Sequence, residues 1–437
     1  MNGAAREQPL DRAQQRDFHR LWAALSVSLV GSEITALALP LMAAITLGAS
    51  PLEMGILAAA GQLPFFLCSL PAGVWVDRVL RRPVLIATDL GSATLLLSIP
   101  LAVPFGGPEF AQLCVVAFGV GTLTVVSEVA HYAYVPTLVR RRHLTEYNGK
   151  LQVSHSASSA AGPGLGGLLV QTISAPFAVL ADAASFVASA GLLARIRRPE
   201  PPVRTAEERA PMRRSIADGL RLLLGHPFLR PIIVGGSIAN LFECGLLAIY
   251  VLYATRELGL NAGTIGLIFA VGGGAAIPGG LLADRLGKRV GVGRAIVAGW
   301  TLAAVGALLV PLAAGPRWLV VVVLTFANAF GAFTATIANV QQWSLRQTVT
   351  PDHLSGRVTA GHRFIVYGAG AIGAMLGGVA ASAMGLRPAL FLCSAGMLVG
   401  PVIAFASPLR RLRDQPVDEI EPASADELVA VADWGEA

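Results

Sequence analysis

Apolar residues in this chain fall into about twelve blocks of roughly 20 residues, and that spacing constrains the fold more than any motif does. A block of that length crosses about 30 Å of hydrocarbon as a helix. The blocks run 21–47, 52–76, 83–103, 110–135, 150–173, 176–194, 229–253, 261–283, 290–313, 318–343, 360–384 and 386–407. Hydrocarbon offers no partner for backbone N–H and C=O groups, so only helices or closed barrels span it. These blocks are too long for barrel strands and lack their alternation. The fold class expected is an all-α polytopic membrane protein with twelve transmembrane helices. With 54% apolar and only 14% charged residues, against about a quarter charged in soluble domains, a soluble enzyme and a disordered chain are both excluded.

The connections alternate in charge. One set (48–51, 104–109, 172–175, 254–260, 314–317 and 385–387) holds three cations, Arg256, Arg317 and Arg387. The other set, with both chain ends, holds the remaining 30 of 33 Lys and Arg. The positive-inside rule places that second set, and both termini, in the cytoplasm. The plasma membrane is the localisation expected. The first block is too long for a secretory signal core and is read as a retained span. The organisation predicted is a cytoplasmic segment (1–20), a six-helix bundle (21–194), a cytoplasmic linker (195–228), a second six-helix bundle (229–407) and a cytoplasmic tail (408–437). Within the linker, Arg214–Gly225 is expected to lie on the inner membrane surface as a short amphipathic stretch. One short helix is expected in the tail around Ala425–Trp434.

Several chemistries find no support. The four cysteines (Cys68, Cys114, Cys244, Cys393) lie apart inside apolar blocks and read as buried free thiols. No histidine pair has metal-ligand spacing and no phosphate-binding glycine loop is present, so no metal, cofactor or ATP-driven reaction is expected. Basic residues are not interleaved with aromatics, which argues against nucleic acid as a partner.

The chain repeats itself at an offset of 207. Gly73, Asp77, Arg78, Arg81 and Arg82 follow the second span; Gly280, Asp284, Arg285, Lys288 and Arg289 follow the eighth. The same offset relates Pro71 to Pro278, Gly149-Lys150 to Gly356-Arg357, His155 to His362 and Gly166 to Gly373. The bundles are thus two pseudo-symmetric halves in the same orientation, related by an axis along the membrane normal, which is a transporter architecture. Gly73 and Gly280 would allow close helix approach. Asp77 and Asp284 could accept hydrogen bonds from a neighbouring helix N-terminus, where the dipole favours negative charge. That cluster could latch the cytoplasmic side; the alternative is that its cations only fix topology.

This G-x-x-x-D-R-x-x-R-R loop, with its second copy, resembles the signature loop of the major facilitator superfamily. Gly73–Leu85, Pro136–Val139 with Asn148-Gly149, Gly162–Gly167 and Gln347–Arg363 are similar to the enterobactin-exporter and macrolide-efflux branch of its drug exporters. Gly149, Gly162, Pro163, Gly166 and Gly167 match the antiporter motif of drug–proton exchangers, with Ser158 replacing the middle glycine. Physically, these residues let span five pack closely while Pro163 kinks it. A packing role without coupling is the other reading.

Charges inside a membrane are costly and therefore informative. The resemblance implies that spans one, four, seven and ten line a cavity. Glu33 in span one could carry a proton or bind a cationic substrate, or simply bridge helices. Glu128 and His131 in span four are three apart on one helix face and could share a proton or form a structural pair. Asn240 and Glu243 in span seven are placed in the cavity by the repeat, since Asn240 is 207 positions from Glu33. Asn328, Asn339 and Gln342 belong to an unusually polar span ten, with Thr334, Thr336 and Gln341. Trp343 and Phe330 could stack on a flat ligand or serve packing. Asp89 is expected to meet loop cations, and Asp182 to cap or pack span six.

The function expected is that of a secondary active transporter, acting as a monomer, that exports amphipathic small molecules (drug-like, macrolide-like or siderophore-like) by alternating access. Protons are the expected coupling ion, with Glu33 as the leading carrier helped by Glu128 or Glu243, and the lipid bilayer is the environment. An importer or facilitator on the same fold, and a membrane receptor that moves nothing, are the alternatives.

Overall fold

The apolar blocks become helices because their short connections supply caps and turns. Ser50 and Glu53 cap each other's backbone at the start of the second helix: Ser50 N donates to Glu53 Oε2 at 2.7 Å and Glu53 N to Ser50 Oγ at 3.3 Å. Asn261 accepts from Thr264 N at 2.9 Å to begin the eighth. Gly291 (φ 98°) and Gly385 (φ 91°) turn the chain where an L side chain would be strained.

The computed structural model describes residues 12–76, 78–138, 144–197, 200, 221–350 and 354–413. Its helical spans are α1 Arg12–Leu41, prolonged by a π-helical turn at Met42–Thr46; α2 Pro51–Val76; α3 Arg81–Ala102; α4 Phe110–Leu138; α5 Leu144–Ile173; and α6 Ala175–Ala194, interrupted at Val179. The second half gives α7 Leu229–Arg256, α8 Ala262–Val290, α9 Val292–Leu312, α10 Arg317–Val349, α11 Ser355–Met384 and α12 Leu386–Ala406, interrupted at Leu398. No strand occurs among the described residues. Eleven of these are long and apolar enough to cross a bilayer. The other, α5, has the length but is diluted by polar residues such as Ser154, His155, Ser158 and Gln171.

Several helices exceed their apolar blocks: α5 begins at Leu144, α8 runs on to Val290 and α11 begins at Ser355. Helix α1 begins at Arg12, inside the stretch expected to be a separate polar segment, because Phe18 packs edge-on against Tyr147 with 5.2 Å between ring centroids. Helix α10 continues past Trp343 to Val349. All four cysteines are free, but only Cys393 is buried; the other three are partly exposed, contrary to the expectation of four buried thiols. The greater part of Arg214–Gly225 and all of Ala425–Trp434 lie outside the described residues.

Packing repeats with the sequence. In the first half α1 packs on α5 and α6, α3 on α4 and α6, and α2 on α4; in the second, α7 packs on α11 and α12, α9 on α10 and α12, and α8 on α10. The halves meet along two seams, α2 with α11 and α5 with α8, which are images of each other under the repeat.

Candidate functional site

The seams are tight at one end only. Near the ends of the helices that carry few cations, called the neutral end here, backbone meets backbone. A Cβ on Gly378 would strike Pro51 O and Gly55, and one on Gly167 would strike Ala262 O and Gly266. Arg256 Nη2 donates to Ala49 O at 2.8 Å, and Gly263 N to Gln171 Oε1 at 3.0 Å, both across the halves. Towards the opposite, basic end, Gly73 and Gly149 have nothing within 4 Å of where a Cβ would sit. The two halves therefore splay apart at the basic end. Between these regions, Phe65 stacks on Tyr367 (4.7 Å) and Phe66 on Phe364 (4.4 Å).

A cavity of roughly 540 Å³ lies on the second half, bounded by α7, α9, α10 and α11. Five sequence-predicted residues line it: Asn240, Glu243, Asn328, Asn339 and Gln342. Asn240 Nδ2 donates to Val366 O at 2.9 Å, and Asn328 Nδ2 to Tyr250 Oη at 3.2 Å. Among the described residues, Gln342 Nε2 donates to Asn339 Oδ1 at 3.3 Å and to no other partner. Glu243 sits halfway along α7, exposed to the cavity, and forms no ion pair or hydrogen bond among the described residues. Trp343 also lines this cavity, whereas Phe330 stacks on Phe326 at 5.5 Å. Of the other polar residues of α10, Gln341 donates to Ala283 O at 2.7 Å, in the α8 contact, and both threonines bond within their own helix.

A smaller cavity of about 170 Å³ in the first half is lined by Glu128, His131, His155 and Asp89, among others. Glu128 and His131 share its wall but not a proton. His131 is buried and its Nε2 lies 2.6 Å from Tyr147 Oη. Glu128 turns the other way and pairs with Arg363 of α11 at 3.0 Å, across the halves. Glu33 lines neither cavity; its stem packs against Gly162 of α5. Asp89 does not meet loop cations. It is buried beside Ser189 of α6, because α3 and α6 pack along their length. Asp182 is buried in the α1–α6 contact, with Ser185 Oγ donating to its Oδ1 at 3.1 Å.

The loop motif folds differently in its two copies. Asp77 lies outside the described residues. Arg78 is exposed. The α3 N-terminus is capped by Glu200, which accepts from Arg81 N and Arg82 N at 2.7 Å each. Arg82 Nε in turn donates to Leu193 O at 2.9 Å, at the end of α6. In the second copy Asp284 pairs with Lys288 one turn away at 2.7 Å, both exposed, and Arg285 and Arg289 are exposed too. Among the described residues Asp284 thus pairs only within its own helix, on an exposed face rather than the one that packs on α10. Gly280 faces Thr336 of α10.

The antiporter-like stretch packs on two sides at once. Gly162 and Gly166 admit Glu33 and Ile34 of α1, while Gly167 admits α8 and the carbonyl of Pro163 faces Gly266. Span five therefore joins a bundle contact to an inter-half seam. Sequence reasoning missed Arg363, Arg346, Trp300 and Glu200 as site or latch residues. Arg363 and Trp300 line the larger cavity. A cation inside an apolar block was the available signal for Arg363.

Residues 8–432 match the family model described as transmembrane secretion effector. The chain belongs to this major facilitator family. Among curated relatives, it is 28% identical over 408 residues to the multidrug efflux pump Tap of Mycolicibacterium fortuitum, covering 90% of this chain and 95% of Tap. It is 25% identical over 412 residues to the enterobactin exporter EntS of Citrobacter koseri, covering 91% and 94%. Among solved structures, a bacterial homologue of the iron transporter ferroportin in an inward-facing state superposes with TM-score 0.72 at 16% identity, over 91% of this chain and 99% of that one. A bacterial homologue of the lysosomal transporter Spinster, inward-facing and unoccupied, gives 0.69 at 13% identity, over 92% and 98%. These confirm the major facilitator fold of two six-helix halves. The chain is a membrane transporter whose relatives work in efflux.

Proposed function

We propose that this major facilitator protein exports amphipathic small molecules from the cytoplasm by alternating access, exchanging them for protons. The observation that carries the reading is the asymmetry of its seams. Glycine contacts shut the neutral end while a large cavity, with an unpaired carboxyl at mid-helix, lies towards the basic end. With the basic loops cytoplasmic, this is the state that loads cargo from inside. Rocking about the two seams would carry the cavity to the other face.

Glu243 is the leading proton carrier because it faces the cavity without a partner. A carboxyl at mid-membrane is inexpensive only when protonated or paired, so its charge state is coupled to which side has access. Glu33, against the antiporter-like stretch, is the second candidate. The driving force is adequate: one charge crossing ~100 mV releases about 2.3 kcal/mol, enough for roughly a fiftyfold concentration ratio.

The test is transport in liposomes loaded with a fluorescent amphiphile. Wild type should expel dye when a pH gradient is imposed and exchange dye at equilibrium. Glu243→Gln should keep equilibrium exchange and lose the response to pH. Full pH-driven export by that variant would remove Glu243; dye accumulation under the same gradient would mark an importer.

A further inference from the structure

Just beyond the cavity wall, against the lining residue Trp343, lies a cation with no carboxylate beside it among the described residues. Arg346 lies near the basic end of α10 and is 6% exposed. Its guanidinium rests 4.4 Å from the ring centroid of Trp343, a cavity-lining residue. Among the described residues it forms no ion pair and no hydrogen bond. Arg363 and His362, which line the cavity on α11, are close enough to act on it electrostatically. Arg363 has a carboxylate in Glu128; Arg346 has none.

The helical period puts Arg346 in register with the cavity. It follows Asn328 by 18 residues, about five turns. The row between them holds Ala335, Asn339 and Gln342, all in the cavity wall. Side chains on a helix lean towards its N-terminus, so Arg346 reaches back along that row towards Trp343. A largely covered guanidinium with no anion beside it leaves a charge that an incoming oxyanion can balance. The planar fork is suited to two oxygens of an anion, and the neighbouring indole offers a face for a flat ring.

We propose that Arg346, with Arg363, His362 and Trp343, binds the anionic group of the cargo, so that the molecules carried are aromatic amphiphiles bearing a carboxylate, sulfonate or similar oxyanion. This rests on the exporter reading above and narrows its substrate class. An anionic lipid headgroup would satisfy the same chemistry, and the test separates the two.

The experiment uses the full-length protein in nanodiscs of phosphatidylcholine and two probes that share one fluorophore, anionic dansylglycine and cationic dansylcadaverine. Wild type should bind the anion more tightly. Arg346→Gln should weaken anion binding about tenfold or more, as loss of a charged hydrogen-bond partner does, while cation binding stays within about twofold and serves as the control for folding. Arg346→Lys should recover part of the loss. Equal anion binding by wild type and Arg346→Gln overturns the proposal, as does an equal loss for both probes. Competition by phosphatidylglycerol in the discs, lost in Arg346→Gln, would assign the site to lipid and overturn its assignment to cargo. Dye export that persists without any preference for the anion would sink this proposal while leaving the exporter standing; absence of export and exchange for both probes would sink both.

Discussion

If glycine contacts at the neutral end hold the transporter open at the basic end, then one methyl group on each seam should tip it over. The substitutions are Gly167→Ala on α5 and Gly378→Ala on α11. A Cβ on Gly167 would lie 2.8 Å from the Cα of Gly266, and one on Gly378 would lie 2.9 Å from the Cα of Gly55. Carbon atoms settle at about 3.5–4.0 Å, so each seam must part by about 1 Å. Overpacking of this kind costs about 1–3 kcal/mol per site. The seams share no partner, so the costs should roughly add. The penalty falls on the state with the neutral end shut and vanishes once it opens. Each methyl then shifts the balance of states by about fivefold to 150-fold. Alanine also favours helix over glycine by about 1 kcal/mol, but both states are helical there, so that contribution cancels.

The assay is the distance between spin labels in the neutral-end connections, at Phe105→Cys in the first half and Arg317→Cys in the second, with the four native cysteines replaced. Both positions are exposed, Phe105 at 91%. The parent should show one short distance. Each single variant should populate a longer one, and the double variant should be dominated by it. Gly191→Ala is the control, since a Cβ there meets nothing within 4 Å. A folded, monodisperse double variant with the parent's distance distribution would refute the claim that seam packing sets the state.

Three further outcomes follow from single contacts. Tyr147→Phe removes the phenol beside buried His131 and should lower stability by about 1–3 kcal/mol, read as a fall in the apparent Tm; an unchanged Tm would mean the bond contributes nothing. Glu200→Ala should cost about 1 kcal/mol by uncapping α3, whereas Asp284→Asn, whose exposed pair is weak, should stay within about 0.5 kcal/mol; the reverse order would contradict the capping assignment. His226, at the entrance to α7 and outside the spans, has its pKa lowered by burial, and its Nδ1 accepts from Phe228 N at 3.2 Å. Protonation therefore favours the unfolded joint, so this contribution is complete above the ordinary histidine value and fades as pH falls below about 6.5. Hydrogen-exchange protection around residues 226–228, taken relative to the intrinsic rate at each pH, should fall on acidification through that range, and His226→Gln should flatten the response.

Local physics made most of the fold legible. Block length predicted the helices, and the 207-residue offset predicted that the halves share one packing scheme. What stayed hidden depended on which helices become neighbours. Glu128 and His131 lie on one face of α4, which spacing alone suggests as a pair. Yet α4 packs on α2 and α3, and two long side chains from elsewhere decide the pair: Tyr147 of α5 bonds His131, while Arg363 of α11 draws Glu128 across the halves. Glu200 was equally hidden, because a carboxylate in a Pro-rich linker carries no sign of the helix it will cap. Asp89 was placed with loop cations because it is near them along the chain, whereas lateral packing on α6 decided its surroundings.

Helix α10 shows that some of this could have been read earlier. Its polar residues were grouped as one set, but at about 100° per residue they divide. Asn328, Asn339 and Gln342 fall within about 60° of one another, while Gln341 lies on another face, and the structure sends it to α8. The same arithmetic carries the cavity row beyond the last apolar turn to Arg346, a residue passed over because it lay outside the block. The end of hydrophobicity marks where lipid stops, not where a helix stops presenting the same face. A cation just past that boundary, in register with a polar row, sits where the dielectric is still low but the entrance is near. That is the position from which a charged group can select what enters.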